Sequence, residues 1–341
     1  MDHEEQPSAG SPGSPGEAPA SPIVPSFRAQ NDSLLHRVLF NEREIRSGWR
    51  LLIFVVLWVG IFFAAASLTR WFSLSTRQIT AGTILRSEGL MFFAALVSAA
   101  ILGLAEKRSF ANYALPWSRA FQGKFWRGVL WGGVALTALL LLIRLGGGFS
   151  FGALSTAGRW QLLRDGGLWA AASLLIGFFE EFFFRGYALF TLTTGIGFWP
   201  SAIVLSIVFG AAHLGNHGED WPGVLAVMLI GLFFCFTVRR TGTLWFAIGL
   251  HAMWDYGENF IFAVPDSGVV TGHHLFTSSL HGPHWLTGGS AGPEGSLFVF
   301  VVIGVLFLLF HLIYPKARFG VMAAHKPQPA VAEGVAGAGA A

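Results

Sequence analysis

Three groups of ionisable residues stand in apolar surroundings, where charge is costly. The first is Glu180-Glu181-x-x-x-Arg185, within GLWAAASLLIGFFEEFFFRGYALFTL. The second is Phe209-x-x-x-His213, within IVFGAAHLGNHG, and the third is His251-x-x-x-Asp255, within LWFAIGLHAMWDYGENFIF. Carboxylates and imidazoles brought together suit general acid–base catalysis or metal binding. At a bilayer midplane each charge of this kind costs about 2.5–3.5 kcal/mol, so Glu180, Glu181 and Arg185 left unpaired would cost about 8–10 kcal/mol. A neutral sequence would insert far more readily, which points to a functional interior.

Helical geometry separates the two glutamates. Residues four apart share a face, whereas neighbours point about 100° apart. Glu181 and Arg185 are therefore expected to form a supporting ion pair, and Glu180, with no local partner, to project into a cavity. Phe209 and His213 share a face, as do His251 and Asp255. Each group taken alone has a plainer reading: a helix-packing network around Glu180, a headgroup-level histidine at 213, a self-satisfied pair at 251 and 255. Taken as a set, the groups favour one polar pocket shared by three helices, because charges buried in a membrane need one another or water.

Those helices belong to a chain built for lipid. Of its 341 residues 53% are hydrophobic and 12% charged, where a soluble chain carries about 25% charged residues. The net charge of +3 comes with no dense basic patch, so nucleic acid is not an expected partner; the bilayer is. The single cysteine, Cys235, excludes a disulfide framework and a CxxC metal pair. A bilayer span needs about 20 mostly apolar residues. Eight stretches qualify, at roughly 50–69, 88–105, 126–145, 168–190, 199–214, 222–238, 243–263 and 296–314. The expected fold is an all-α, polytopic membrane bundle of about eight transmembrane helices. It occupies 36–319, with a site-bearing core at about 165–263, between a disordered cytoplasmic tail (1–35) and a second disordered tail (320–341).

Lysine and arginine gather on cytoplasmic segments. With the N-terminus inside, eight spans leave only Arg70, Arg77, Arg86, Arg144, Arg159 and Arg164 outside, and Arg185 within a span. The other lysines and arginines fall inside, so both termini are expected in the cytoplasm.

The motif series Glu180-Glu181-x-x-x-Arg185, Phe209-x-x-x-His213, His251-x-x-x-Asp255 resembles, in order and in placement, that of the CPBP intramembrane proteases. These comprise the CAAX prenyl endopeptidases of the Rce type and the bacteriocin-processing or self-immunity (Abi) proteins. The last motif position in that family is Asn or Asp, so Asp255 is an accepted variant. The resemblance implies a multi-pass protease of a membrane, most simply a bacterial plasma membrane, that hydrolyses a peptide bond near the end of a membrane-anchored substrate. Carried over, Glu180 with His213 would activate the attacking water. His251 with Asp255 would stabilise the oxyanion or help bind a metal, and Glu181, Arg185 and Phe209 would hold the site in shape. Two routes stay open: zinc held by His213, His251 and Glu180, or a metal-free site with Glu180 as the base.

Competing signals are weaker. Gly148-Phe149-Ser150-Phe151-Gly152 fits the G-x-S-x-G pattern of serine hydrolases, but it lies in a glycine-rich loop rather than on a strand–turn–helix elbow. The loop 264–295 carries His273, His274, His281 and His284 with only Asp266 and Glu294 as acids, and reads as an extracytoplasmic loop. Buried acids also mark proton-coupled transporters, although those often show two related halves, and none is visible here. A non-catalytic immunity-type membrane protein is the other alternative.

Overall fold

The computed structural model describes residues 34–40, 44–69, 80–216, 218–268, 272 and 274–319. The tails expected to be disordered lie outside the described residues, apart from the start of helix α1 (Leu34–Leu39). The chain divides into two units, one ending at Glu44 and one beginning at Ile45. The first holds α1, and the second holds a helical membrane bundle.

All eight apolar stretches are helical. They are α2 (Ser47–Leu68), α3 (Ala81–Glu106), α4 (Gly123–Leu145), α5 (Arg159–Ile196), α6 (Phe198–Ala212), α7 (Trp221–Thr241), α8 (Trp245–Tyr256, prolonged by a π turn at Gly257–Phe262) and α9 (Leu297–Ile313). Six of these, α2 to α7, are long and apolar enough to cross a membrane, α6 when counted with its terminal turn to Gly215. The other two, α8 and α9, are shorter. At 38 residues α5 would extend about 57 Å, well beyond a hydrocarbon core of about 30 Å. Its first turns, which carry Arg159 and Arg164, therefore continue past the apolar segment that the sequence marks at 168–190.

Helix α3 begins earlier than its apolar run implies. Thr80 and Thr83 form a reciprocal capping box, with the Thr83 amide donating to Thr80 Oγ1 at 3.2 Å and the Thr80 amide donating to Thr83 Oγ1 at 2.8 Å. Two further turns are gained, and they bring Glu88 inside the helix.

The helix that carries His251 is seated by close backbone contact. Gly128 and Gly132 of α4 form a small-xxx-small pair against α8, where Gly249 faces back. A Cβ at Gly128 or Gly132 would strike the backbone of Phe246 or Leu250, and one at Gly249 the backbone of Phe125. Apolar helices in lipid gain little from hydrophobic contact with each other, so such interlocking sets their spacing. Around this seam Leu136, Leu139, Phe246 and Leu250 are buried in the largest apolar cluster.

The two ends of the bundle differ in charge. One end is tied by basic residues: Lys124 Nζ donates to the Thr241 carbonyl at 2.6 Å, the Arg318 amide donates to the Arg239 carbonyl at 2.8 Å, and Arg50 pairs with Glu106 at 2.6 Å. The other end carries a two-stranded antiparallel ribbon, β1 (Phe149–Ser150) and β2 (Ser279–Leu280), which joins the segment after α4 to the segment 264–295. Ser150 is exposed on β1 opposite Ser279, and Gly152 lies against the Thr277 backbone. The G-x-S-x-G string thus serves a close strand crossing and forms no nucleophile elbow.

Candidate active site

Two π turns shape the site. The first, Glu181–Ala188, follows directly on Glu180 in α5, and the second, Gly257–Phe262, follows Asp255 and Tyr256 in α8. Single π turns inside α-helices are rare and frequently lie at functional positions.

The first turn carries the ion pair expected from spacing. Arg185 Nη1 lies 3.2 Å from Glu181 Oε1, with both side chains essentially buried. The guanidinium sits over the Phe209 ring at 4.1 Å from its centroid and near Phe234 at 5.3 Å, so Phe209 of α6 covers the cation as well as bracing the histidine four residues on. Gly231 of α7 leaves the room this needs, since a Cβ there would crowd Arg185 Nη2.

The same Glu181 oxygen holds the neighbouring histidine: His251 Nδ1 lies 3.1 Å from Glu181 Oε1. A carboxylate shared with a guanidinium acts as acceptor, so Nδ1 carries a proton and donates it. Nε2 is left toward the other acids, 3.6 Å from Glu180 Oε2 and 3.7 Å from Asp255 Oδ1. The ring also stacks on Phe234 at 5.3 Å, nearly parallel. Glu181 therefore fixes both the tautomer and the orientation of His251, as the outer partner of an active-site imidazole does.

His213 stands on a short 3₁₀ turn at the end of α6. Its Nδ1 lies 2.8 Å from the Phe209 carbonyl. A carbonyl only accepts, so this nitrogen too carries the proton, and Nε2 is the free one. Glu180, Phe209, His213, His251 and Asp255 line one cavity of about 440 Å³. Glu181 and Arg185 stand behind its wall. Glu180 Oε2 and Asp255 Oδ2 accept no hydrogen bond from the described residues.

The cavity has further acids that the motif reading passed over. Glu88 of α3 lines it, as do Asp266 and Glu294 of the 264–295 segment. Glu258, on the second π turn, is fully buried beside them. Burial, and then the nearby Glu294 carboxylate, hold the Asp266 carboxyl above its ordinary range. Burial, followed by Glu294 and Asp220, pushes Glu219 up to about 7. The signal that marks Glu180 in the sequence, a carboxylate inside an apolar run, was also present at Glu258 in WDYGENFIF. Glu88 showed it only at the very edge of its run. Of the loop histidines, His273 lies outside the described residues, and His284 approaches Asp220 at 3.6 Å.

A family model described as type II CAAX prenyl endopeptidase Rce1-like matches residues 162–257. That segment contains all seven motif residues, Glu180, Glu181, Arg185, Phe209, His213, His251 and Asp255, and the resemblance seen in the motif series is borne out. Glu88, Glu258, Asp266 and Glu294 fall outside it. No curated protein matches the chain. At family level the match supports a CAAX-type intramembrane protease acting on membrane-associated peptides, and with the apolar helices it supports an integral membrane protein.

Proposed function

We propose that this protein is an endopeptidase that hydrolyses a membrane-anchored substrate with a water activated by Glu180 and His213. The carrying observation is the approach of Glu180 Oε2 to His251 Nε2, 3.6 Å apart on the wall of a cavity that His213 and Asp255 also line. Glu180 accepts the proton of the attacking water while His213 Nε2, free to accept, helps orient that water; as the tetrahedral intermediate collapses and the C–N bond breaks, Glu180 returns the proton to the departing amine. His251, with Nε2 facing the Asp255 and Glu180 carboxylates, carries a second proton there and, as an imidazolium, donates it toward the carbonyl oxygen as negative charge develops. Donors fixed in advance in a water-poor site are the strongest means of stabilising such charge. Glu181, Arg185 and Phe209 are positioning residues, since they act through His251 and His213.

Zinc was the alternative activator. The donors suit it in kind: each histidine has Nδ1 engaged and Nε2 available, the usual arrangement behind a metal. Their spacing does not. Tetrahedral zinc holds its N and O ligands at about 2.0–2.2 Å, and so holds them near one another. Among the described residues, the one group of three whose ligand atoms lie within 4.8 Å of each other is Glu258, Asp266 and Glu294. His213, His251 and Glu180 do not form such a group, which favours hydrolysis through the bare Glu180 carboxylate. The test is peptide hydrolysis by purified protein in the presence of a zinc-selective chelator that leaves Ca²⁺ and Mg²⁺ in the buffer. Undiminished cleavage is expected, and cleavage that depends wholly on added zinc would overturn the bare-carboxylate route.

The cavity reaches the end of the bundle that bears 264–295, opposite the end tied by Lys124, Arg239 and Arg318. With basic residues cytoplasmic, both termini lie inside and the cavity mouth faces outward. Reporter fusions at residue 118 are expected to read cytoplasmic and at residue 280 extracytoplasmic. The reverse pattern would place the mouth, and therefore cleavage, on the cytoplasmic side.

A further inference from the structure

A second acidic group adjoins the cavity and has no part in the hydrolysis proposed above. Glu258 belongs to the π turn that ends α8. Asp266 and Glu294 come to it from opposite ends of the 264–295 segment. One carboxylate oxygen from each of the three lies within 4.8 Å of the other two. The loop acids are held in place by neighbours. Asp266 Oδ2 accepts from Asn259 Nδ2, while Glu294 accepts from Trp254 Nε1 at 3.0 Å and from Ser267 Oγ at 2.6 Å. Glu258 is fully buried, and neither of its oxygens accepts a hydrogen bond from the described residues.

A separate observation points the same way. Asp255, three residues before Glu258 on α8, is 4% exposed, and its Oδ2 also has no hydrogen-bond partner among the described residues. It lines the cavity together with Asp266 and Glu294. Among the described residues, no lysine or arginine forms an ion pair with Glu258, Asp266 or Glu294. Three carboxylates gathered out of water without a counter-charge are expensive, and a cation that ligates them offsets that cost.

We propose that Glu258, Asp266 and Glu294 form a site for a hard divalent cation, Ca²⁺. All three donors are oxygens, the set that suits Ca²⁺, Mg²⁺ or Mn²⁺ rather than a softer metal. Ca²⁺ holds oxygen ligands at about 2.3–2.6 Å in a flexible shell, so three carboxylate oxygens within 4.8 Å of one another can share one ion. Mg²⁺ demands a near-ideal octahedron and keeps several waters, which a site around the fully buried Glu258 does not favour, whereas the flexible shell of Ca²⁺ takes mono- and bidentate carboxylates. The ion would clamp both ends of the 264–295 segment to α8, the helix that carries His251 and Asp255. It would thus fix the wall of the cavity mouth, and its existence does not depend on the peptidase reading.

Trp254 supplies the probe, because its indole donates directly to Glu294. In the purified full-length protein, Tb³⁺ emission excited through tryptophan is expected to saturate and to be displaced by Ca²⁺ at about 1 mM or below. Asp266→Asn and Glu294→Gln should each weaken that displacement about tenfold or more, as loss of a charged ligand does. Equilibrium dialysis of the unmodified protein against ⁴⁵Ca²⁺ should give one ion per chain, which keeps the test decisive if a variant fails to fold. Absence of bound Ca²⁺ in dialysis would overturn the proposal, as would affinity unchanged in both variants or displacement of Tb³⁺ by Mg²⁺ but not by Ca²⁺.

Discussion

Glu180→Gln should lower hydrolysis by about 10²–10⁴-fold, the range expected for loss of a positioned general base, and leave the folded yield close to that of the unmodified protein. The substitution keeps the side chain's size and removes its basicity. Little structural loss should follow, because Glu180 is 20% exposed at the cavity wall and its Oε2 accepts no hydrogen bond from the described residues. His251 Nε2 is 3.6 Å away, beyond normal hydrogen-bond length. Initial cleavage rates set beside detergent-extracted yield and melting temperature separate the two effects. A Glu180→Gln protein that folds normally and cleaves at an undiminished rate would remove Glu180 from the mechanism.

Its neighbour should behave in the opposite way. Glu181→Gln is expected to cost about 3–5 kcal/mol of stability, the usual consequence of removing one member of a buried ion pair. Glu181 is 0% exposed, and its Oε1 serves both Arg185 Nη1 at 3.2 Å and His251 Nδ1 at 3.1 Å. The change strands a guanidinium that is 1% exposed among Phe209, Phe234 and Phe184. Activity should fall with the folded yield. Adding Arg185→Met removes the stranded charge, so the double variant should recover much of the melting temperature while staying impaired in turnover, because no carboxylate then holds His251. Equal stability in Glu180→Gln and Glu181→Gln would show that the division of labour between adjacent acids is wrong.

These contrasts were legible in the sequence because they follow from simple periodicities. Four-residue spacing put Arg185 under Glu181 and Asp255 under His251, and the structure keeps both approaches. Apolar runs of span length marked every helix of the bundle, although the two shorter ones, α8 and α9, fall below full span length in the structure. The π turns were not legible, since no residue type announces an extra residue in a helical turn. The first of them begins at Glu181, whose Oε1 serves Arg185 and His251 at once, a double use that spacing alone does not reveal. Glu88 was missed because the apolar window begins where the helix is already two turns old, started by the Thr80–Thr83 cap. The partnership of Glu258 with Asp266 and Glu294 was hidden for another reason. It joins a helix end to both ends of a long connecting segment, and nothing in one sequence reports which loop residues return to a helix.

The two routes by which buried acids serve a membrane protein, hydrolysis and ion transport, make different demands on the same residues. A transport path needs polar groups that lead on through the bundle. The arrangement here instead turns Glu180, His251 and Asp255 toward one another, beside a His213 whose Nδ1 is already committed to a backbone carbonyl. Purified protein reconstituted into liposomes with a C-terminally lipidated peptide puts the central claim at risk most directly, with products read by mass spectrometry and internal pH followed in the same vesicles. The account predicts release of a short C-terminal fragment, with no accompanying proton flux, and loss of that release in Glu180→Gln. Intact peptide together with pH-dependent ion flux would contradict it and make the cavity a transport path.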